Sequence, residues 1–110
     1  MIYLMLVKFD ELKAVTKKAF LNLGLTEEQA ETCAQIHCSS SADGVESHGM
    51  NRIPRFAEYV KKGWINIHGK PELVKAKGAA ENYDGNLGIG VINALFCGQR
   101  AIELAKEHGI

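Results

Sequence analysis

The sequence predicts a mainly α fold with a short β element. Apolar residues recur at three- and four-residue spacing in four separate stretches, which is the pattern of helices with one buried face. Strand character is confined to residues 72–83. The length of 110 residues, with 46% hydrophobic and 24% charged residues, is typical of one globular domain rather than of a disordered chain.

Two helices are predicted before residue 43. The first spans about residues 10–23 and ends at Gly24, which suits a left-handed C-terminal cap. Its apolar stripe consists of Phe9, Leu12, Val15, Ala19, Phe20 and Leu23. The second helix begins after Thr26, because Thr26 to Gln29 has the sequence of a capping box, and it ends near residue 42. Its predicted buried face consists of Ala30, Cys33, Ala34 and His37.

A third helix is predicted from about residue 53, and Gly63 ends it. Its apolar positions are Ile53, Phe56, Ala57 and Val60. Pro54 fits only in the first turn, because deeper in a helix it would remove a backbone hydrogen bond and clash. Trp64, at helical spacing from Val60, is predicted to lie in the core.

The rest of the chain predicts two short strands and one more helix. The strands are expected over residues 72–77 and 80–83, with Asp84-Gly85 as a turn. The helix is expected over about residues 90–107, with an inward face of Val91, Leu95, Ile102 and Ala105. We therefore divide the chain into residues 1–70, a helical segment, and residues 71–110, which lead into a further domain.

Charge and cysteine content limit the classes of function. Thirteen basic residues balance thirteen acidic ones, which disfavours nucleic acid or an anionic membrane as partner. Three cysteines without a CxxC pair favour a reducing cytoplasm over an extracellular disulfide framework. The apolar start, residues 1–7, is too short to span a membrane and is not a convincing signal peptide.

Residues 43–52, with the sequence DGVESHGMNR, form the densest polar run, and they join helices two and three. His48 and Arg52 lie four positions apart, so continuous helix would place both side chains on one face. An imidazolium can give a proton to the alkoxide that forms when a ketone is reduced. A guanidinium can bind a carboxylate through two parallel hydrogen bonds. Without further evidence, the same pair also fits a solvated loop.

Other combinations have simpler explanations than a cofactor site. Cys33, His37 and Cys38 lack an evident fourth ligand for zinc, so core packing is favoured and no metal is assigned. The glycines near residue 88 lack the order and the following acidic residue of a dinucleotide-binding fingerprint. Arg55 and Tyr59 continue the face of His48 and Arg52, but nearby lysines indicate a solvated surface, and both are left outside the predicted site.

The string DGVESHGMNRIPRF, followed by EYVKKGWIN, resembles the malate/L-lactate dehydrogenase family, whose members do not use a conventional Rossmann fold. The residues that carry the resemblance are Ser47, His48, Gly49, Arg52, Pro54, Arg55, Phe56 and Gly63. Residues 24–30 and the closing AIELAKEHGI are also similar to the family, so the likeness spans nearly the whole chain.

The resemblance implies the N-terminal helical part of the α/β malate/L-lactate (L-sulfolactate) dehydrogenase-like fold. It implies an enzyme that reduces a 2-oxo acid with NADH or NADPH, usually as a homodimer. His48 would be the proton donor, and Ser47 and Arg52 would bind substrate. Asn51 and the Ile53-Pro54 pair favour a sugar acid, of the 2,3-diketo-L-gulonate type, over malate as substrate.

Length is where this chain departs from the family. Family members are longer, and residues beyond position 110 would hold most of the nicotinamide cofactor. Cofactor-binding residues are therefore not identified within this chain. The ending, a capped helix followed by one apolar residue, favours a piece of a longer α/β protein. The alternative to an enzyme is a non-catalytic helical fragment, or a partner-binding module without cofactor binding of its own.

Overall fold

A computed structural model describes residues 5–110. The elements are α1 (Phe9–Asn22), α2 (Glu27–Ala42), two 3-10 turns (Glu46–His48 and Met50–Arg52), α3 (Ile53–Lys61), β1 (Glu72–Lys77), β2 (Ala80–Asp84) and α4 (Gly90–His108). The predicted mainly α fold with a short β element is confirmed. The chain divides into two compact units, one up to Glu58 and one from Tyr59. The proposed division into residues 1–70 and 71–110 concerns a longer protein and stays a prediction.

The predicted caps between α1 and α2 are confirmed. Gly24 has φ +98°, in the left-handed region, and the Leu25 amide donates back to the carbonyl of Phe20 at 3.3 Å. Thr26 and Gln29 form a complete capping box, in which each side chain accepts a hydrogen bond from the backbone amide of the other. These two caps make a tight turn between α1 and α2, and the two helices are in contact.

The core of the first unit is centred on Phe20, which is fully buried. Its ring centroid lies 5.5 Å from those of His37 and Phe56, so one side chain links α1, α2 and α3. The predicted inner face of α2 is confirmed as buried. In α1 the predicted apolar stripe is buried only in part, because Val15 is 69% exposed and Thr16 is buried instead.

The shift from Val15 to Thr16 has a local cause. Residues at positions 16 and 20 are one helical turn apart, so burial of Phe20 selects Thr16 for the same face. The Thr16 hydroxyl contacts two sulfur atoms there, Cys38 Sγ at 3.7 Å and Met50 Sδ at 3.8 Å. A β-branched side chain with a hydroxyl can thus replace an apolar one in this core.

The second unit contains an antiparallel hairpin and α4. β1 and β2 meet through a turn at Gly78, where φ is +57°, and the register is interrupted by a bulge between Leu73 and Lys75. Asp84 ends β2, and its carboxylate accepts from the Asn86 amide at 2.8 Å. The predicted strands are confirmed, but the turn predicted at Asp84-Gly85 lies at residues 86–87 instead, because Asp84 is still part of β2.

One charged contact joins the hairpin to α4. Arg100 of α4 donates to both carboxylate oxygens of Glu81 in β2, at 2.8 and 2.9 Å, and also to Glu103 at 2.8 Å. The Tyr83 hydroxyl donates to the same Glu81 carboxylate at 2.7 Å. The Arg100 guanidinium, followed by the Tyr83 hydroxyl, lowers the pKa of Glu81 to about 2.

The predicted inward face of α4 is wrong in part, because Leu95 and Ile102 are 52% and 51% exposed. The face that meets the hairpin carries Phe96, Arg100 and Leu104 at four-residue spacing. Leu95 and Ile102 therefore lie on another face of the helix.

Trp64 is 58% exposed, so its prediction as a core residue is also wrong. It packs against the Tyr59 ring at 5.2 Å and beneath the ammonium of Lys62 at 4.7 Å.

Of the apolar start predicted not to span a membrane, residues 1–4 lie outside the described residues. Among residues 5–110, no helix combines the length and apolar character that a membrane span requires.

Candidate active site

The polar segment that carries His48 and Arg52 is built from two short turns rather than from continuous helix. The His48 amide donates to the Val45 carbonyl at 3.1 Å, and the Arg52 amide donates to the Gly49 carbonyl at 3.0 Å. Gly49 lies between the turns with φ −101° and ψ −131°, which is outside the helical region. His48 and Arg52 are thus four residues apart but do not belong to one regular helix. The alignment of their side chains that a continuous helix would give therefore does not apply here.

Ser41, at the end of α2, positions the segment. Its hydroxyl donates to the Glu46 carboxylate at 2.9 Å and accepts from the Met50 amide at 2.8 Å. These two bonds reach both sides of His48, one before it and one after it. The sequence pattern did not predict this role, because it indicated only that the second helix ends near residue 42.

Gly49 is buried where the segment crosses α2. A Cβ at this position would lie 2.1 Å from Ser41 Oγ and 2.8 Å from the Ser41 backbone nitrogen. Only glycine allows this approach, since backbone atoms cannot yield as a side chain can. The close approach at the glycine after His48 is therefore made by α2 of the same chain.

The His48 side chain is exposed, and its Nδ1 atom lies 3.1 Å from Ser47 Oγ. Among residues 5–110, no other hydrogen bond or ion pair of this imidazole is found, so Nε2 is available to a ligand. The neighbouring hydroxyl fixes one ring nitrogen and leaves the other for chemistry, which is a common arrangement for a catalytic histidine.

A cavity of about 310 Å³ lies beside this histidine and is lined by Ser47, Asn51, Arg52 and Arg55. The structure thus brings together two of the predicted site residues, Ser47 and Arg52, in one cavity wall. His48 does not line the cavity, but its Nδ1 atom contacts Ser47, which does. Arg52 and Arg55 make the cavity wall positively charged, and no carboxylate of residues 5–110 lines it.

Arg55 and Asn51 are the lining residues that the predicted site omitted. Arg55 follows Arg52 by three positions and Asn51 by four, the spacings at which helical side chains are neighbours. That signal was present in the sequence. It was outweighed by Lys61 and Lys62, which lie further along the chain and do not line the cavity.

Cys33, Cys38 and His37 are packing residues, as predicted. Cys33, Cys38 and His37 are buried, and His37 Nδ1 lies 2.7 Å from the Cys33 carbonyl in the preceding turn. Burial raises the pKa of the Cys33 thiol to about 11, which disfavours the thiolate that a metal ligand requires.

The comparison with protein families matches this chain over nearly its whole length. The family model described as malate/L-lactate dehydrogenase matches residues 7–110. The chain belongs to the malate/L-lactate dehydrogenase family. The resemblance that was assigned from the segment around His48 is thereby confirmed.

Proteins similar to this chain include named reductases. The chain is 39% identical over 106 residues to the 2,3-diketo-L-gulonate reductase of Shigella boydii serotype 4 (strain Sb227). The match covers 96% of this chain and 32% of that protein. The chain thus spans about a third of the length of the curated relatives that it matches.

Solved structures of dehydrogenases share the fold of this chain. The malate dehydrogenase of Pyrococcus horikoshii OT3 matches with a TM-score of 0.90 and 28% identity, over 96% of this chain and 30% of that one. The sulfolactate dehydrogenase of Methanocaldococcus jannaschii matches with a TM-score of 0.86 and 29% identity, over 93% of this chain and 30% of that one. The prediction of the N-terminal helical part of the dehydrogenase-like fold is confirmed.

Proposed function

We propose that this chain is the N-terminal part of an NADH- or NADPH-dependent reductase of 2-oxo acids, with 2,3-diketo-L-gulonate as the substrate. The observation that carries the proposal is the positively charged cavity that Ser47 and Arg52 share, with His48 held against Ser47. The name of the Shigella boydii relative supports the choice of substrate.

His48 is proposed as the proton donor. In the imidazolium form, Nδ1–H donates to the Ser47 hydroxyl, and Nε2–H is left to protonate the oxygen that becomes an alkoxide as hydride reaches C2. The exposure of the ring supports this role, because a proton donor must exchange protons with solvent after each turnover. Ser47 is proposed both to orient the ring and to contact the substrate.

Arg52 is proposed to bind the substrate carboxylate. Its guanidinium has no carboxylate partner among residues 5–110, so an anion in the cavity would meet an uncompensated charge. A bidentate contact to C1 would fix the position of the C2 carbonyl relative to His48, and orientation of this kind accounts for a large part of enzymatic rate enhancement.

The proposed source of hydride is the nicotinamide cofactor, and most of the residues that would bind it are proposed to lie outside residues 1–110. Gly88 does not fit a phosphate cradle. A Cβ on Gly88 would lie 2.6 Å from the Gly69 carbonyl oxygen and 2.9 Å from that of Gly85, so the space is filled by the chain's own backbone. Packing within the second unit thus accounts for this glycine.

The proposed setting is a cytoplasmic homodimer acting on a small-molecule substrate, with no nucleic acid or membrane as partner.

The second candidate function is a non-catalytic module that binds a partner chain. The observation that favours it is the exposure of Leu95 and Ile102 on α4, since exposed apolar faces often bind other surfaces.

Turnover tests the role of His48. Residues 5–110 would be joined to the C-terminal two thirds of the Shigella boydii reductase, and oxidation of NADH or NADPH with 2,3-diketo-L-gulonate would be followed by absorbance. We expect His48→Ala to lower kcat by about 100-fold or more, the loss expected when a general acid is removed. His68→Ala, at an exposed histidine outside the site, is the matched control and should leave kcat unchanged.

Unchanged turnover in His48→Ala would overturn the proposed mechanism. Titration of NADH into the purified 110-residue chain, followed by fluorescence, separates the two candidate functions further. The proposal expects no micromolar binding by this chain alone and full binding by the fused protein. A fused protein that folds but binds no nucleotide would favour the partner-binding module.

A further inference from the structure

We propose that Arg55 determines substrate specificity by binding the oxygen substituents that lie beyond C2 of the substrate. The inference rests on the proposed function, because it takes Arg52 as the group that binds the C1 carboxylate. It adds that the site is built for a polyoxygenated 2-oxo acid rather than for one with a hydrocarbon remainder.

The geometry places the two arginines side by side. Arg52 ends the second 3-10 turn, Arg55 lies in the first turn of α3, and both line the same cavity. Because one small acid carries one C1 carboxylate, a single bidentate guanidinium satisfies it. The second guanidinium is therefore available to another part of the same molecule.

Charge distinguishes these two arginines from the third in the chain. Arg100 is bound to Glu81 and Glu103 and is thereby neutralised. Arg52 and Arg55 have no ion pair or side-chain hydrogen bond within residues 5–110, and no acidic residue lines their cavity. A guanidinium needs acceptor atoms, and it carries five N–H donors to satisfy.

Asn51 indicates which acceptors these are. Its amide shares the cavity with Arg55 and offers both a donor and an acceptor, the combination that suits a hydroxyl group. A hydroxyl or carbonyl oxygen on C3 and beyond would meet Arg55 and Asn51 together. The cavity of about 310 Å³ lies at the lower end of the range for small-molecule sites, which suits a small acid.

Arginine side-chain NMR of the 110-residue chain tests the inference. The chain has only three arginines, so its Nε–Hε spectrum contains three signals, and Arg100 is an internal control. The probes are pyruvate, which has no oxygen beyond C2, and 2-oxo-L-gulonate, which has hydroxyls from C3 onward. We expect 2-oxo-L-gulonate to shift the signals of Arg52 and Arg55, and pyruvate to shift that of Arg52 alone.

Two variants separate a specific role of Arg55 from a general effect of charge. Arg55→Met should weaken 2-oxo-L-gulonate binding by about tenfold, the value of a hydrogen bond from a charged donor, and leave pyruvate binding within about twofold. Lys61→Met removes one positive charge from the same helix outside the cavity and should change neither affinity. An equal loss in both variants would show a general charge effect and overturn the inference.

The two proposals fail in different ways. If both probes shift Arg52 but 2-oxo-L-gulonate leaves Arg55 unmoved, the inference about Arg55 is wrong and the proposed function stands. If neither probe shifts Arg52, the proposed carboxylate site is wrong, and the inference falls with it. If pyruvate shifts Arg55 as strongly as Arg52, both arginines share the carboxylate, and the proposed specificity role is wrong.

Discussion

The two compact units differ in how well they bury their apolar residues. In the first unit the buried hydrophobic residues, none more than 4% exposed, are Phe20, Leu25, Ala30, Cys33, Ala34 and Cys38. In the second unit, among the described residues, only Ile89 and Leu104 are buried hydrophobic residues. Every residue of β1 is exposed.

The difference shows which unit supports the candidate site. Catalytic groups must be held within a fraction of an ångström, which requires neighbours that are themselves fixed by packing. The segment that carries His48 is attached through Ser41 to α2, the helix with the largest buried face. The site therefore depends on the core of the first unit.

The difference in packing between the two units is tested most directly at Phe20. We expect Phe20→Ala to lower the free energy of unfolding by about 3–5 kcal/mol, because a fully buried ring that links three helices leaves a cavity. Chemical denaturation followed by circular dichroism measures the change. Hydrogen exchange should show the loss of protection in α1 and α2.

The matched control is Leu95→Ala in α4. Leu95 is 52% exposed, so its truncation should cost at most about 1 kcal/mol. Similar losses in the two variants would contradict the view that the units differ in packing. A larger loss for Leu95 would mean that its exposed face is covered in solution.

A smaller effect is expected at Gly49, where the core meets the site. Gly49→Ala should cost about 1–3 kcal/mol, because the new Cβ would overlap Ser41 and force the backbone to move. The same shift would separate Met50 from Ser41 and displace His48, so anion binding at Arg52 should weaken as well. Denaturation and the arginine NMR titration measure the two consequences.

Gly98→Ala in α4 is the opposite case. A Cβ there meets nothing within 4 Å, and the residue lies inside a helix, so alanine should raise the free energy of unfolding by about 0.5–1 kcal/mol. If both glycine variants destabilise the chain equally, the steric explanation for Gly49 is wrong.

Sequence patterns predicted most of the helices and their ends, because caps act through neighbouring residues. Gly24 and the Thr26–Gln29 box needed only local information. Burial on α1 and α4 was harder to predict, since both helices carry apolar residues on more than one face. The buried face of α1 was selected by Phe20, and that of α4 by the hairpin, through contacts that periodicity does not contain.

In the candidate site, too, the residues defined by local sequence were easier to predict than those defined by contacts across the fold. His48 with Ser47, and Arg52, were recognisable from their order along the chain and their chemistry. Ser41 was not, because its bonds to Glu46 and Met50 join residues five and nine positions away across an irregular turn. Arg55 required knowledge of which side chains line one cavity, and that depends on where α3 begins.

The smallest expected effect belongs to the second unit and depends on pH. Because Arg100 lowers the pKa of Glu81 to about 2, the ionised carboxylate stabilises the folded state. That contribution is fully present above the carboxyl group's ordinary pKa of 4.5 and is lost as the pH falls from there towards 2. Glu81→Gln should therefore be less stable than the parent chain at neutral pH, by less than Phe20→Ala.

The difference between Glu81→Gln and the parent should shrink steadily between pH 4.5 and pH 2 in thermal denaturation. Glu107→Gln, at an exposed glutamate near the end of α4, controls for the loss of one negative charge and should show no such convergence. A constant difference across this range would mean that Glu81 contributes through the shape of its side chain rather than through its charge. The hairpin would then be joined to α4 by packing, as the helices of the first unit are, and the contrast between the units would be one of extent only.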